Sequence, residues 1–139
     1  MGTRALVRVF EGDTELCCIY KQLDGYPDGL GADLKAFCES RRLVNGYPGG
    51  VDKKTIANGV GCFAAQLIAH LKGGPEVGRV YLLAPGTADA GQHYEYHLRG
   101  PDTSEPHFGE GPSRVAFNAF SFRRNALERV AVPESGGQA

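Results

Sequence analysis

A chain of 139 residues has the size of one domain and can bury one core. Hydrophobic residues make up 42% and charged residues 22%, the balance of a globular chain rather than a disordered or fibrous one. Fifteen Lys and Arg against sixteen Asp and Glu leave a formal charge of −1. No global field therefore draws the protein onto duplex nucleic acid, and a nucleic-acid polymer is not expected as a partner.

Met1-Gly2-Thr3-Arg4 leads directly into a strand-like segment, with no apolar leader. No stretch approaches the ~18 apolar residues of a membrane span, and Leu6 stands where a myristoylation signal needs Ser or Thr. The expectation is a cytoplasmic protein with no membrane partner. The four cysteines, Cys17, Cys18, Cys38 and Cys62, form neither a C-x-x-C pair nor the framework of a small secreted domain. Reduced, mostly buried thiols are expected.

Arg4 to Phe10 and Glu15 to Lys21 are rich in Val, Leu and Ile and flank Glu11-Gly12-Asp13-Thr14, which reads as a β-hairpin. Asp24-Gly25-Tyr26-Pro27-Asp28-Gly29-Leu30-Gly31 holds three glycines and a proline, so it cannot continue a strand and must be a shaped loop. A helix then begins near Asp28 to Gly31 and ends before Arg41-Arg42, its apolar face marked by Leu30, Leu34, Phe37 and Cys38. After a second turn-rich loop, Asn45 to Gly50, Thr55 is placed to cap a helix running to about Lys72, where Gly73-Gly74-Pro75 stops it. Val60, Phe63, Ala64, Leu67, Ile68 and Leu71 occupy most of its circumference, which predicts a central, buried helix. Arg79 to Ala84, Gln92 to Arg99 and Arg114 to Phe122 read as three strands of a β-meander.

The order β-β-α-α-β-β-β predicts an α+β domain, a mostly antiparallel sheet with two helices on one face. Residues 1–125 would form this domain, and residues 126–139 a weakly patterned carboxyl-terminal tail, mobile or used in subunit contacts.

His93-Tyr94-Glu95-Tyr96-His97 carries two histidines four apart around a glutamate, but zinc binding at that spacing needs a helix. The alternation predicts a strand, which sets the two rings ~13 Å apart at ~3.3 Å per residue. Exposed strand histidines, and no metal, are expected. Cys62 lies near the start of the main helix, where a dipole lowers a thiol pKa, yet Gly61 and Phe63 beside it favour a structural cysteine. Cys17 and Cys18 point to opposite faces of a strand. Nucleophile-elbow, P-loop and Rossmann motifs are missing, and no catalytic residue or cofactor is assigned.

Two glycine-rich junctions remain. At Asn58-Gly59-Val60-Gly61, either the glycines only permit close helix packing, the weightier reading, or the helix start receives an anion. At Asp24-Gly25-Tyr26-Pro27, a plain turn competes with a rigid loop that stacks a base on Tyr26 and holds a ribose hydroxyl with Asp24. Tyr20, Tyr81, Tyr94 and Tyr96, with Gln66 and Asn58, add rings and amides suited to a base-bearing ligand and equally at home in a core.

Met1-Gly2-Thr3-Arg4, Tyr20, Asp24-Gly25-Tyr26-Pro27, Gly29-x-Gly31, Val44-Asn45-Gly46, Ala57-Asn58-Gly59-x-Gly61-Cys62-x-Ala64-Ala65-Gln66 and Tyr94-Glu95-Tyr96 together resemble a family of small phage and bacterial proteins. Over roughly residues 1–98 the chain is similar to the first described group of phage Thoeris anti-defence proteins. That resemblance implies a sponge: a homodimer or higher homo-oligomer in the cytoplasm of an infected bacterial host. It would sequester, without cleavage, a cyclic ADP-ribose isomer or a related cyclic oligonucleotide. The expected ligand-binding set is then Asp24, Tyr26, Asn58, Gly59, Gln66, Tyr81, Tyr94, Arg99 and Arg114, the two arginines offering guanidinium groups to a diphosphate. Two other classes remain open, a small enzyme degrading such a nucleotide through Cys62 or a His, and a protein that binds and inhibits a host defence complex.

Overall fold

The computed structural model describes residues 2–47, 49–102 and 114–133. Its first hairpin pairs β1 (Ala5–Glu11) with β2 (Thr14–Lys21). Alternation in β1 sends Ala5, Val7 and Val9 into the core, while Leu6, Arg8 and Phe10 take the opposite face. A π-helical turn, Pro27–Gly31, leads into α1 (Ala32–Ser40), which buries Leu34, Phe37 and Cys38. Burial pushes the Cys38 thiol up to about 12.

Two strands absent from the sequence reading follow: β3 (Arg42–Val44) and β4 (Ile56–Asn58) form a separate two-stranded parallel sheet. Thr55 is therefore not a helix cap. Its Oγ1 donates to the Asp52 carbonyl at 2.8 Å, and α2 runs from Gly59 to Lys72. Gly59 is buried with φ +84, a left-handed corner between strand and helix that only glycine adopts at low cost. A Cβ on Gly61 would meet nothing within 4 Å, so close packing does not explain that glycine. The helix is also less enclosed than expected. Val60, Phe63, Ala64, Leu67 and Leu71 are buried, whereas Gly61, Ala65, Ala69 and His70 face outward.

The main sheet is completed by β5 (Val80–Leu83), β6 (Tyr94–Gly100), β7 (Ala116–Arg123) and β8 (Ala126–Arg129). Strand order is β5-β2-β1-β6-β7-β8, with β1 and β6 parallel and every other pair antiparallel. The fold is thus α+β as expected, with α1 and α2 sharing one core on one face of a mostly antiparallel sheet.

Two expectations are corrected by this topology. The expected meander of three strands is broken, because β5 pairs with β2 at the far edge and only β6, β7 and β8 run consecutively. The chain also does not become a tail at residue 126. Arg124 and Asn125, both with positive φ, make the tight turn into β8, and Val130 and Val132 pack against the core. Residues 134–139 of the expected tail lie outside the described residues. Among the described residues no helix is long and apolar enough to cross a membrane.

The sheet and α2 are in close contact at Gly100, where a Cβ would sit 2.5 Å from Val60 Cγ2. Val60 is fully buried and β-branched, so it has no free rotamer in a helix to escape into. Gly100→Ala is expected to destabilise the fold by roughly 1–3 kcal/mol through overpacking. Urea denaturation monitored by circular dichroism checks this.

Candidate functional site

The largest of the described hollows, about 450 Å³, opens where the end of β2, the Asp24–Pro27 loop, the start of α1 and the end of α2 meet. Its walls are Lys21, Asp24, Tyr26, Gly29, Leu30, Asp33, His70, Leu71 and Arg79. The volume lies in the range of roughly 300–1,000 Å³ usual for small-molecule sites.

The glycines of the loop fix its shape. Gly25 donates its N–H to the Thr3 carbonyl at 2.8 Å, and a Cβ there would meet the Ala5 Cβ at 2.7 Å. Only glycine lets the chain lie this close to β1. The Tyr96 hydroxyl donates to the Gly25 carbonyl at 2.7 Å from inside the core. Tyr26 lays its ring against Gly29, whose absent Cβ would be 2.9 Å from the ring, and accepts N–H groups from Gly29 and Gly31 at its carbonyl.

Polar groups of both signs face this hollow. On the opposite wall His70 Nε2 lies 3.0 Å from Asp33 Oδ2, tying the end of α2 to the start of α1. Gly73 ends α2 in the left-handed conformation, and a Cβ on it would be 3.2 Å from Arg79 Nη1. The Arg79 guanidinium therefore lies across the carboxyl-terminal end of α2, where its charge is favoured. Lys21 and Arg79 offer cationic donors, Asp24 and Asp33 carboxylate acceptors, and the 40%-exposed Tyr26 ring a flat apolar surface.

Of the residues expected to bind ligand, only Asp24 and Tyr26 meet in this cavity. Asn58 and Gln66 line a separate hollow of about 120 Å³ with Tyr47, Lys53, Ile56 and Cys62. The Asn58 side-chain oxygen accepts the Gly46 N–H at 2.7 Å, and Gln66 Nε2 donates to the Ile56 carbonyl at 3.0 Å. Both amides thus brace the loops before α2, and among the described residues no histidine lines the hollow beside Cys62. Gly59 is buried at the corner. Tyr81 is exposed on the edge strand β5, beside the Tyr20 ring. Tyr94 lines a third hollow of about 240 Å³ with His93 and Arg123. Arg99 lies over the Phe10 ring at 4.2 Å and donates to the Gly12 carbonyl, and Arg114 is exposed ahead of β7.

A buried charge cluster that local sequence pattern does not announce lies on the helix-free face. Arg8 Nε and Nη2 reach the two oxygens of Glu95 at 2.8 and 3.2 Å, and Arg8 Nη1 reaches Glu15 at 3.2 Å. Glu95 also accepts from Gln92 at 2.8 Å and pairs with His97 Nε2 at 3.0 Å. His97 is consequently half-buried and engaged, not the exposed strand histidine expected. Burial by itself pushes the Glu95 carboxyl up. The hydrogen bonds from His97, Arg8 and Gln92, with the Arg8 charge, outweigh it and bring the carboxyl down to about 2. The signal was present as one arginine at the centre of an otherwise apolar strand, but its partner sits far along the chain. Among the described residues no group of His, Cys, Asp and Glu is arranged to hold a metal ion.

Comparison with protein-family models, curated proteins and solved structures returns no match. What the cavity can hold therefore follows from its own side chains.

Because Glu95 is depressed in the fold, the stability it contributes is complete above its unfolded value of about 4.5. It is lost as pH falls from there to about 2. Glu95→Gln should cost about 3 kcal/mol at neutral pH by leaving Arg8 under-paired in the interior. It should also flatten the fall of melting temperature between about pH 5 and pH 2, measured by differential scanning calorimetry.

Proposed function

We propose that this domain is a non-catalytic binder that holds a small, phosphorylated, nucleotide-derived ligand in the cavity between the Asp24–Pro27 loop and Arg79. One observation carries the reading. Among the described residues four non-glycine positions have positive φ: Asp24, Arg79, Arg124 and Asn125. Arg124 and Asn125 are explained by the β7–β8 turn. Asp24 (φ +59) and Arg79 (φ +73) stand on the walls of the same cavity. Such backbone costs of order 1–3 kcal/mol per residue and concentrates where a ligand is clamped.

In this reading Lys21 and Arg79 meet phosphate oxygens, Asp24 accepts from a ribose hydroxyl, and Tyr26 stacks on the base. Retention needs only these contacts of shape, stacking and charge. The family resemblance narrows the ligand to a cyclic ADP-ribose isomer, with cyclic oligonucleotides as the neighbouring class. It also frames the role as a sponge, a homo-oligomer in the cytoplasm of an infected bacterial host.

A second reading rests on the His70–Asp33 pair in the same cavity. A carboxylate holding an imidazole is the arrangement of a general base, and with water as nucleophile it would hydrolyse the bound ligand instead of storing it.

A thermal-shift panel of cyclic ADP-ribose isomers and cyclic oligonucleotides separates the readings, since a ligand that binds only the folded state raises the melting temperature by mass action. A binder releases the ligand chemically intact on heat denaturation, as chromatography would show; an enzyme releases product, and His70→Gln stops the conversion. For the binder, Arg79→Gln should weaken affinity about tenfold or more, the value of one charge-assisted hydrogen bond. Unchanged affinity in that variant would remove the cavity from consideration.

A further inference from the structure

The helix-free face of the main sheet carries a row of rings that crosses three adjacent strands. Phe10 on β1 stands 5.5 Å from His97 on β6, centroid to centroid, and His97 stands 4.7 Å from Phe120 on β7. A guanidinium covers each end of the row: Arg99 lies 4.2 Å from the Phe10 centroid and Arg129 lies 5.7 Å from that of Phe120. The three rings are half-buried and both arginines are exposed. Asn118, opposite His97 in the strand register, adds an amide on the same face.

The exposed charge on the strands of this face is basic. Strand register places Arg8, Glu15, Glu95, Arg99 and Arg129 here. Glu15 and Glu95 are turned to Arg8, their side chains only 14% and 4% exposed. Among the described strand residues of this face, the exposed charges are therefore Arg99 and Arg129, both basic, and Arg99 also lies 3.4 Å from the exposed Asp13 carboxylate of the β1–β2 turn.

We propose that this face is a stacking platform for short single-stranded nucleic acid, with bases lying on His97, on Phe120 and on the Arg99 guanidinium that covers Phe10, and phosphates meeting the N–H edges of Arg99 and Arg129. Aromatic rows accept any base, because every base has a π-face, and guanidinium groups beside them supply the backbone contacts. The overall charge of −1 argues against attraction to a duplex, but a few local phosphate contacts need no global field. A second copy of the chain is the other occupant of suitable shape. Packed face to face, it would have to desolvate both arginines, of which Arg99 has the exposed Asp13 carboxylate at 3.4 Å and Arg129 has no free acid among the described strand residues of this face. A nucleic-acid strand brings its own phosphates.

The test is fluorescence anisotropy of the full chain with a labelled oligothymidylate of about ten nucleotides, alongside analytical ultracentrifugation. Saturable binding that weakens with salt is expected. Phe120→Leu should reduce affinity about tenfold, in line with the loss of one base–ring stack. Arg99→Gln with Arg129→Gln should reduce it similarly and make the salt dependence shallower. These two arginines are exposed, so the double variant keeps the test valid if Phe120→Leu disturbs folding. Arg79→Gln, in the cavity, should leave oligonucleotide binding unchanged, which separates this surface from the cavity ligand. The proposal is overturned by no binding at about 100 μM protein, well above the micromolar range, or by binding indifferent to both face variants. A dimer that Phe120→Leu dissociates, without oligonucleotide binding, would overturn it too.

Discussion

The structure turns on the ion pair between Arg8 and Glu95. β1 and β6 are the parallel pair of the main sheet, and a parallel pairing must be closed across a long stretch of chain before any contact rewards it. The two charged groups meet inside the sheet at 2.8 Å, and a displaced register would strand both in the interior, a cost of several kcal/mol. Register in turn decides where Tyr96 stands. It lies opposite Val7 on the core face, and from there its hydroxyl holds the Gly25 carbonyl and so the loop that walls the cavity. A buried charge pair on one face of the sheet thereby positions a ligand-sized hollow on the other.

How much of this was legible depended on how local each determinant is. The first hairpin, the shaped loop at Asp24–Gly31 and the end of α2 at Gly73 each follow from residues adjacent in sequence, and the structure has them in place. β3 and β4 are three residues each and held by each other rather than by any turn, too short to show a period. β8 is exposed at all four positions, so it lacks the buried alternation by which a strand is read. The placement of β5 beside β2 is a matter of topology, which Arg79 to Ala84 cannot state alone.

The site divides in the same way. Asp24 and Tyr26 were readable because glycine and proline force a displayed loop. Lys21, Asp33, His70 and Arg79 come from four separate parts of the chain and look like ordinary surface residues until the fold gathers them. Asn58 and Gln66 have the residue types of ligand-binding amides, yet their hydrogen bonds go to Gly46 and Ile56. The two sheet faces then separate two chemistries, a polar cavity against the helices and an aromatic row bounded by arginines on the helix-free side.

The most direct test of the cavity as the ligand site is a two-dimensional NMR titration of the full chain with a cyclic ADP-ribose isomer. Amide shifts centred on Lys21, Asp24, Tyr26, Leu71 and Arg79, with the loop before α2 unmoved, are the predicted result. Shifts confined to the hollows around Asn58 and Cys62 or around Tyr94, or a spectrum that does not change at millimolar ligand, would contradict it.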